Sequence, residues 1–244
     1  MSELHAAETS HQRRMDHMYR YQRHVYDLTR KYYLFGRDTL IGELNAGPGI
    51  SVLEVGCGTG RNLALIGKHF PRARLFGLDI SAEMLASAGA KLSRRGRSPA
   101  MLRVADATDF DPRLFGETGF DRIVISYSLS MIPDWQGAID AAIAALNPGG
   151  SLHIADFGQQ ERLPASFRRL LRGWLTRFHV TPRETLFEVL AERARRNGAQ
   201  LERRAIGRGY AWLAVYYRPA ATAASATNPT VARVHGPVAA VIPA

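Results

Sequence analysis

The chain has 244 residues, 46% of them hydrophobic, enough to bury one substantial core, and α/β units of this length often stand as single domains. It has no run of 18 apolar residues and a polar Met1–His11 stretch, so neither a bilayer-crossing helix nor a secretory signal is expected. One cysteine, Cys57, excludes an internal disulfide framework and the Cys-rich patterns of structural zinc, and the formal net charge of +10 raises the question of an anionic partner.

In chain order, residues 1–11 read as a flexible N-terminus. Residues 12–218 read as one domain, divided into a helical cap (12–45), a core (46–158) and a basic helical element (159–198). Taken as a helix, 13–38 places Tyr19, Arg23, Tyr26, Arg30, Tyr33 and Arg37 on one face, alternating aromatic rings with guanidinium groups. Tyr21, Val25, Leu28, Tyr32 and Phe35 make the opposite, docking face. Tyrosine rings suit an onium cation and arginine suits a carboxylate; the same face also reads as a solvated surface with Arg–Tyr stacking. His17 and His24 stay open as bases or as surface residues.

The core alternates β-rich runs with helical patterns. Strands are expected at Ser51–Val55, Arg74–Asp79, Met101–Asp106, Arg122–Ser126 and Ser151–Asp156, with helices near Gly60–Phe70, Ser81–Arg95 and Trp135–Leu146. This is the pattern of βαβ units in a mainly parallel sheet, where ligands sit outside the carboxyl ends of the strands. Next, Phe167, Leu170, Leu171, Trp174, Leu175 and Phe178 recur at helical period among Arg168, Arg169, Arg172 and Arg177. A further helix is predicted over Pro182–Arg196, with Thr181 as its N-cap and Gly198 as its stop. Runs Gln200–Gly207 and Tyr210–Arg218 finish the sheet as an antiparallel hairpin, and 219–244 read as a disordered tail. Residues 161–208 hold twelve Arg against five Glu, while only three lysines occur among the 32 basic residues. The excess therefore reads either as an anion-facing surface or as an arginine-rich composition.

Within the core, Val52-Leu-Glu-Val-Gly-Cys-Gly-Thr-Gly60 is a strand, a glycine turn and a helix start, with glycine where a side chain would block a ligand. Its spacing, Gly56-x-Gly58-x-Gly60 preceded by Glu54, differs from the dinucleotide pattern G-x-G-x-x-G. Asp79 ends the second strand in Gly77-Leu-Asp79-Ile-Ser81, where a carboxylate can accept from two hydroxyls. Asp106 stands in Ala105-Asp106-Ala107 at the end of the third. Together with Phe120-Asp-Arg-Ile-Val-Ile-Ser-Tyr and Leu146-Asn-Pro-Gly-Gly-Ser-Leu, these marks resemble class I S-adenosylmethionine-dependent methyltransferases over residues 45–158. The resemblance implies a Rossmann-like α/β fold with a mostly parallel seven-stranded sheet, and S-adenosyl-L-methionine as cofactor. It implies Gly56, Gly58, Asp79, Ile80, Asp106, Ala107 and Ser126 as cofactor contacts; Glu54 reads as an acid on the cationic sulfonium side, and Tyr26 and Arg30 on the Tyr/Arg face read as covering the cofactor. Met84 is expected either against adenine or in the core, and Cys57 is a spacer in the turn. An NAD-binding domain or a non-catalytic member of the fold is the alternative.

The Tyr/Arg segment and the late basic helix resemble, over residues 12–218, the N-methyltransferases that convert the amine of diacylglyceryl-homoserine to the betaine lipid diacylglyceryl-N,N,N-trimethylhomoserine. That resemblance implies a lipid substrate at an anionic membrane surface and a cytoplasmic chain peripheral to the inner membrane. It also implies a functional link to an enzyme that attaches the amino-carboxypropyl group to diacylglycerol. Tyr19, Arg23, Tyr33 and Arg37 are then expected at the substrate, and Tyr19, His24 and Asp156 beside the reacting amine. Methyl displacement is in-line and depends mainly on alignment, although the amine must be neutral to attack. Another amine, such as phosphatidylethanolamine or a soluble metabolite, stays open as acceptor. A nucleic-acid-binding or RNA-methylating protein drawing on the basic segment is a third, less favoured reading; its base-nitrogen subclass is disfavoured because Ser126-Tyr-Ser-Leu-Ser-Met-Ile-Pro133 lacks the Asn/Asp-Pro-Pro-Tyr/Phe motif, while other RNA acceptors stay open.

Overall fold

The computed structural model describes residues 35–93, 99–177 and 180–221. A short helix α1 (Arg37–Gly42) leads into β1 (Ser51–Val55), α2 (Arg61–His69), β2 (Arg74–Asp79), α3 (Ala82–Ser93) and β3 (Ala100–Val104). A 3-10 turn (Pro112–Phe115) precedes β4 (Phe120–Ser126), α4 (Trp135–Ala144) and β5 (Leu146–Phe157). Two helices, α5 (Ala165–Arg177) and α6 (Leu186–Arg196), come before the strands β6 (Gln200–Ile206) and β7 (Ala211–Tyr217). All seven strands join one sheet in the order β3-β2-β1-β4-β5-β7-β6. The first five run parallel, and β7 enters antiparallel between β5 and β6. The expected mostly parallel sheet with a terminal hairpin is therefore the one that forms. Strand order reverses between β1 and β4, which opens a crevice at their carboxyl ends.

Alternation along the central strands buries both faces, as a sheet covered on two sides requires. Leu53, Val55, Ile123, Ile125, Leu152 and Ile154 pack with Ile139 of α4 and with Leu186 and Leu190 of α6. Val52, Val124, Ala155 and Phe157 turn the other way, onto Leu40 and Ile41 of α1, Leu63 and Ile66 of α2, Leu85 of α3 and Leu175 of α5. No helix among the described residues is long and apolar enough to cross a membrane.

Four sequence expectations are corrected. A continuous helix through residue 37 is excluded, because Gly36 has φ 80 and α1 starts afresh at Arg37. A side chain at Gly36 would press on Ile206 and Leu213, so the left-handed turn and the close packing both call for glycine. The last helix starts at Leu186, four residues later than predicted. Thr181 does not cap it, since its N–H donates to Ser130 O at 2.9 Å, and the Arg183 guanidinium is drawn to the carbonyls of Leu129 and Ile132. Along α5, the apolar stripe is split: Leu175 is buried, Leu171 and Trp174 are half-buried, and Leu170 is 73% exposed. Strand boundaries shift too, with β3 stopping two residues short of Asp106 and β5 starting at Leu146, beside a register shift in β4. Phe178, the Phe167 side chain, the N-terminus through residue 34 and the tail from 222 lie outside the described residues.

His153, in the middle of β5, is 2% exposed and shares a 2.8 Å hydrogen bond with Ser151 Oγ. Burial, with the nearby Arg122 charge, depresses its pKa to about 3. Below pH 6.5, the ordinary value, the unfolded chain takes up a proton here that the folded chain refuses. The contribution to stability is therefore complete above that pH and is lost as pH falls toward 3. Relative to His153→Gln, the parent should lose about 1.4 kcal/mol per pH unit across pH 6 to 4, measured by denaturant titrations at each pH. Parallel stability curves would refute the buried neutral histidine.

Candidate active site

The carboxyl ends of β1 and β2 are joined by one side chain. Asp79, the last residue of β2, accepts from Gly58 N–H at 2.8 Å and from Ser81 N–H at 3.0 Å. These bonds, with Cys57 N–H on Leu78 O at 2.9 Å, fold the glycine turn back toward β2. Gly56, Gly58 and Gly60 have φ of 70, 52 and 68, conformations that other residues adopt at a cost. At Gly56 an added Cβ would sit 2.8 Å from the Ser128 side chain, whereas at Gly58 it would meet nothing within 4 Å. The backbone at Gly58 thus borders open space.

Glu54 is 1% exposed and accepts from Asn62 Nδ2 at 2.7 Å, tying β1 to the first turn of α2. Asp106 lies exposed beyond β3, where its Oδ1 accepts from Thr108 N–H and Oγ1 at 2.8 and 2.7 Å. Ile80 and Ala107 are half-buried on the same edge, and Ala105 N–H donates to Asp79 O. Ser126 ends β4 with its Oγ buried and without a hydrogen-bond partner among the described residues. Met84 is buried on the inner side of α3 with Leu85, Ala88 and Leu92. Cys57 is buried, and burial together with the Glu54 and Asp79 carboxylates pushes its thiol well up. Held neutral and packed beside Gly77, it is unsuited to nucleophilic chemistry.

Beyond β4 the chain turns sharply. Tyr127 has φ 56 and is 1% exposed; burial and the Asp156 charge push its hydroxyl pKa well up, and it donates to Phe35 O at 2.6 Å. Asp156, near the end of β5, is 1% exposed and accepts from the N–H groups of Ser130 at 3.1 Å and Phe157 at 2.7 Å. Burial raises its pKa to about 6. With both oxygens taken by backbone N–H groups, it has the geometry of a loop anchor. Arg37 is 4% exposed; its Nε bonds Asp38, and its Nη1 is buried without a hydrogen-bond partner among the described residues. Tyr19, Arg23, His24, Tyr26, Arg30 and Tyr33 lie outside the described residues. Sequence reasoning missed Tyr127 and Arg183. A strained tyrosine leaves no composition signal, and Arg183 is one arginine among the twelve of residues 161–208.

Residues 53–152 match the family model described as a methyltransferase domain. Phosphatidylethanolamine N-methyltransferase of Cereibacter sphaeroides is 31% identical over 138 residues, 53% of this chain and 64% of that protein. Trans-aconitate 2-methyltransferase of Variovorax paradoxus is 34% identical over 103 residues, 42% of this chain. The chain thus covers 64% and 37% of these two relatives. Among solved structures, plantazolicin methyltransferase BpumL in complex with a triazolic desmethylPZN analog and SAH aligns with TM-score 0.63 at 15% identity, over 88% of this chain and 99% of that one. The YcgJ protein from Bacillus subtilis aligns with TM-score 0.59 at 13% identity, over 75% and 98%. Residues 53–152 are thus similar to methyltransferase domains, and they lie on the Rossmann-like sheet that the strand order defines. The open backbone at Gly58 and the orphaned Ser126 Oγ are features that a bound cofactor would complete.

Filling that open space provides a test. Gly58→Ala should weaken S-adenosylhomocysteine binding at least tenfold by calorimetry. Its stability loss should stay near 1 kcal/mol, the cost of a left-handed alanine. Unchanged affinity would remove Gly58 from the cofactor site.

Proposed function

We propose that the chain is an S-adenosylmethionine-dependent N-methyltransferase acting on a lipid amine, and that the amine is that of diacylglyceryl-homoserine, which it trimethylates. The observation that carries this reading is α5, which follows β5 off the carboxyl edge and presents exposed Leu170 between exposed Arg169 and Arg172. An apolar side chain ringed by cations suits a surface of anionic lipid. Phosphatidylethanolamine is the second reading, favoured by the likeness to the N-methyltransferase of that lipid.

Gly56, Gly58 and Asp79 would hold the cofactor, with Asp106, Ala107 and Ser126 along the same edge. A carboxylate offers about four acceptor positions, so Asp79 can receive ribose hydroxyls while it fastens the turn. The cofactor, when bound, supplies a methyl group on a sulfonium, ready for in-line displacement by a neutral amine. The chain's part is to align the two and to exclude water from between them. Arg37, a guanidinium whose buried Nη1 has no hydrogen-bond partner among the described residues, suits the acidic group next to the amine, a carboxylate in homoserine or a phosphodiester in phosphatidylethanolamine.

Labelled S-adenosylmethionine, supplied with vesicles of each lipid, tests the reading. Mono-, di- and trimethylated diacylglyceryl-homoserine is the expected product series; transfer to phosphatidylethanolamine alone favours the second reading, and transfer to neither lipid defeats both. Arg169→Ser with Arg177→Ser should weaken binding to anionic vesicles about 30-fold, since each arginine near such a surface contributes about 1 kcal/mol. S-adenosylhomocysteine affinity should be unchanged, and equal vesicle binding would leave α5 a plain lid.

A further inference from the structure

The loop after β4, residues 127–132, is fastened by groups from four other parts of the chain, one of them Phe35 O, which accepts from the Tyr127 hydroxyl at 2.6 Å. From β5, Asp156 accepts the Ser130 N–H at 3.1 Å. From the segment before α6, Thr181 N–H donates to Ser130 O at 2.9 Å, while Arg183 donates through Nε to Leu129 O at 3.0 Å and through Nη2 to Ile132 O at 2.6 Å. From β1, Val55 O accepts Ser128 Oγ at 3.3 Å. The loop starts from the left-handed Tyr127, a conformation that persists only where the surroundings hold it. Its place matters because Ser128 backs onto Gly56 of the glycine turn, so the loop walls the crevice on the β4 side of the cofactor. The proposed cofactor contacts run from β1 to β3 and reach β4 only at Ser126, which leaves the loop beyond it and the β5 side for whatever receives the methyl group.

We propose that Arg183 is a positioning residue for methyl transfer: its planar fork bridges two carbonyls of the 127–132 loop and, together with Asp156 on the Ser130 N–H, fixes the acceptor wall against the glycine turn. A guanidinium suits the task because two N–H donors at fixed spacing hold two carbonyls at once. Lysine, a point donor, would hold one. The half-buried Arg183 charge also lowers the cost of keeping Asp156 ionised under its own burial. The inference rests on the methyltransferase domain and not on which amine is the acceptor.

Arg183→Ala and Arg183→Lys are compared with the parent by S-adenosylhomocysteine calorimetry and by steady-state kinetics on whichever lipid amine the parent methylates. Cofactor affinity should stay within twofold for both variants. The kcat should fall at least tenfold in Arg183→Ala, less in Arg183→Lys, and recover severalfold in Arg183→Ala when millimolar guanidinium is added. Unchanged kcat, or a loss of cofactor affinity that matches the loss of rate, would overturn the assignment. Should the parent methylate neither lipid, hydrogen exchange decides the clamp separately. Exchange at the Ser130 and Thr181 amides should then rise at least tenfold in Arg183→Ala and fall back with guanidinium, with β1 amides unmoved. Equal protection at Ser130 and Thr181 in parent and variant would overturn it.

Discussion

Two backbone N–H groups from different elements, Gly58 in the turn after β1 and Ser81 at the head of α3, converge on the two oxygens of Asp79. Hydrogen bonds to a charged acceptor are worth about 1.5–3 kcal/mol each, and the glycines take up the left-handed backbone these bonds require without steric cost. The bond to Gly58 reaches back 21 residues and makes the ends of β1 and β2 a single edge. Everything at the carboxyl side of the sheet is arranged from there: Glu54 braces the turn through Asn62, Ala105 joins β3 to Asp79 O, and Ser128 abuts Gly56.

The two halves of the crevice are built by different means. On the β1 to β3 side, bonds between the ends of neighbouring strands, Gly58 to Asp79 and Ala105 to Asp79, shape the edge proposed for the cofactor, and each joins one βα unit to the next. On the β4 to β5 side, long-range bonds do the holding: Tyr127 to Phe35, Asp156 to Ser130, and Arg183 to Leu129 and Ile132. The acceptor wall thus depends on the segment that follows α5, which is where the arginine excess of the chain lies. This division fits a domain in which the donor and the acceptor are held by different parts of the chain.

The same division explains what could be read from the sequence. Gly56, Gly58, Asp79 and the five parallel strands were legible because their signals are local: glycine spacing, period-2 runs, a carboxylate at a strand end. Gly36 was not, since a glycine inside a helical pattern gives no sign that its φ is positive. Leu170 misled because a wide apolar stripe at helical period does not say which of its edges the sheet covers. Arg183 was invisible for a different reason. Its partners lie 51 and 54 residues away, and its neighbourhood is crowded with other arginines. Asp156 was legible as a strand-end carboxylate, while its engagement by two backbone N–H groups was not.

At the centre of the account stands the claim that the glycine turn locked by Asp79 is a cradle for S-adenosylmethionine and not for a dinucleotide. Calorimetric titration of the whole chain with S-adenosylmethionine and, separately, with NAD tests it most directly. Saturable one-to-one binding of S-adenosylmethionine, lost in Asp79→Ala, and no heat from NAD are expected. Saturable NAD binding, or S-adenosylmethionine binding that survives Asp79→Ala undiminished, would contradict it.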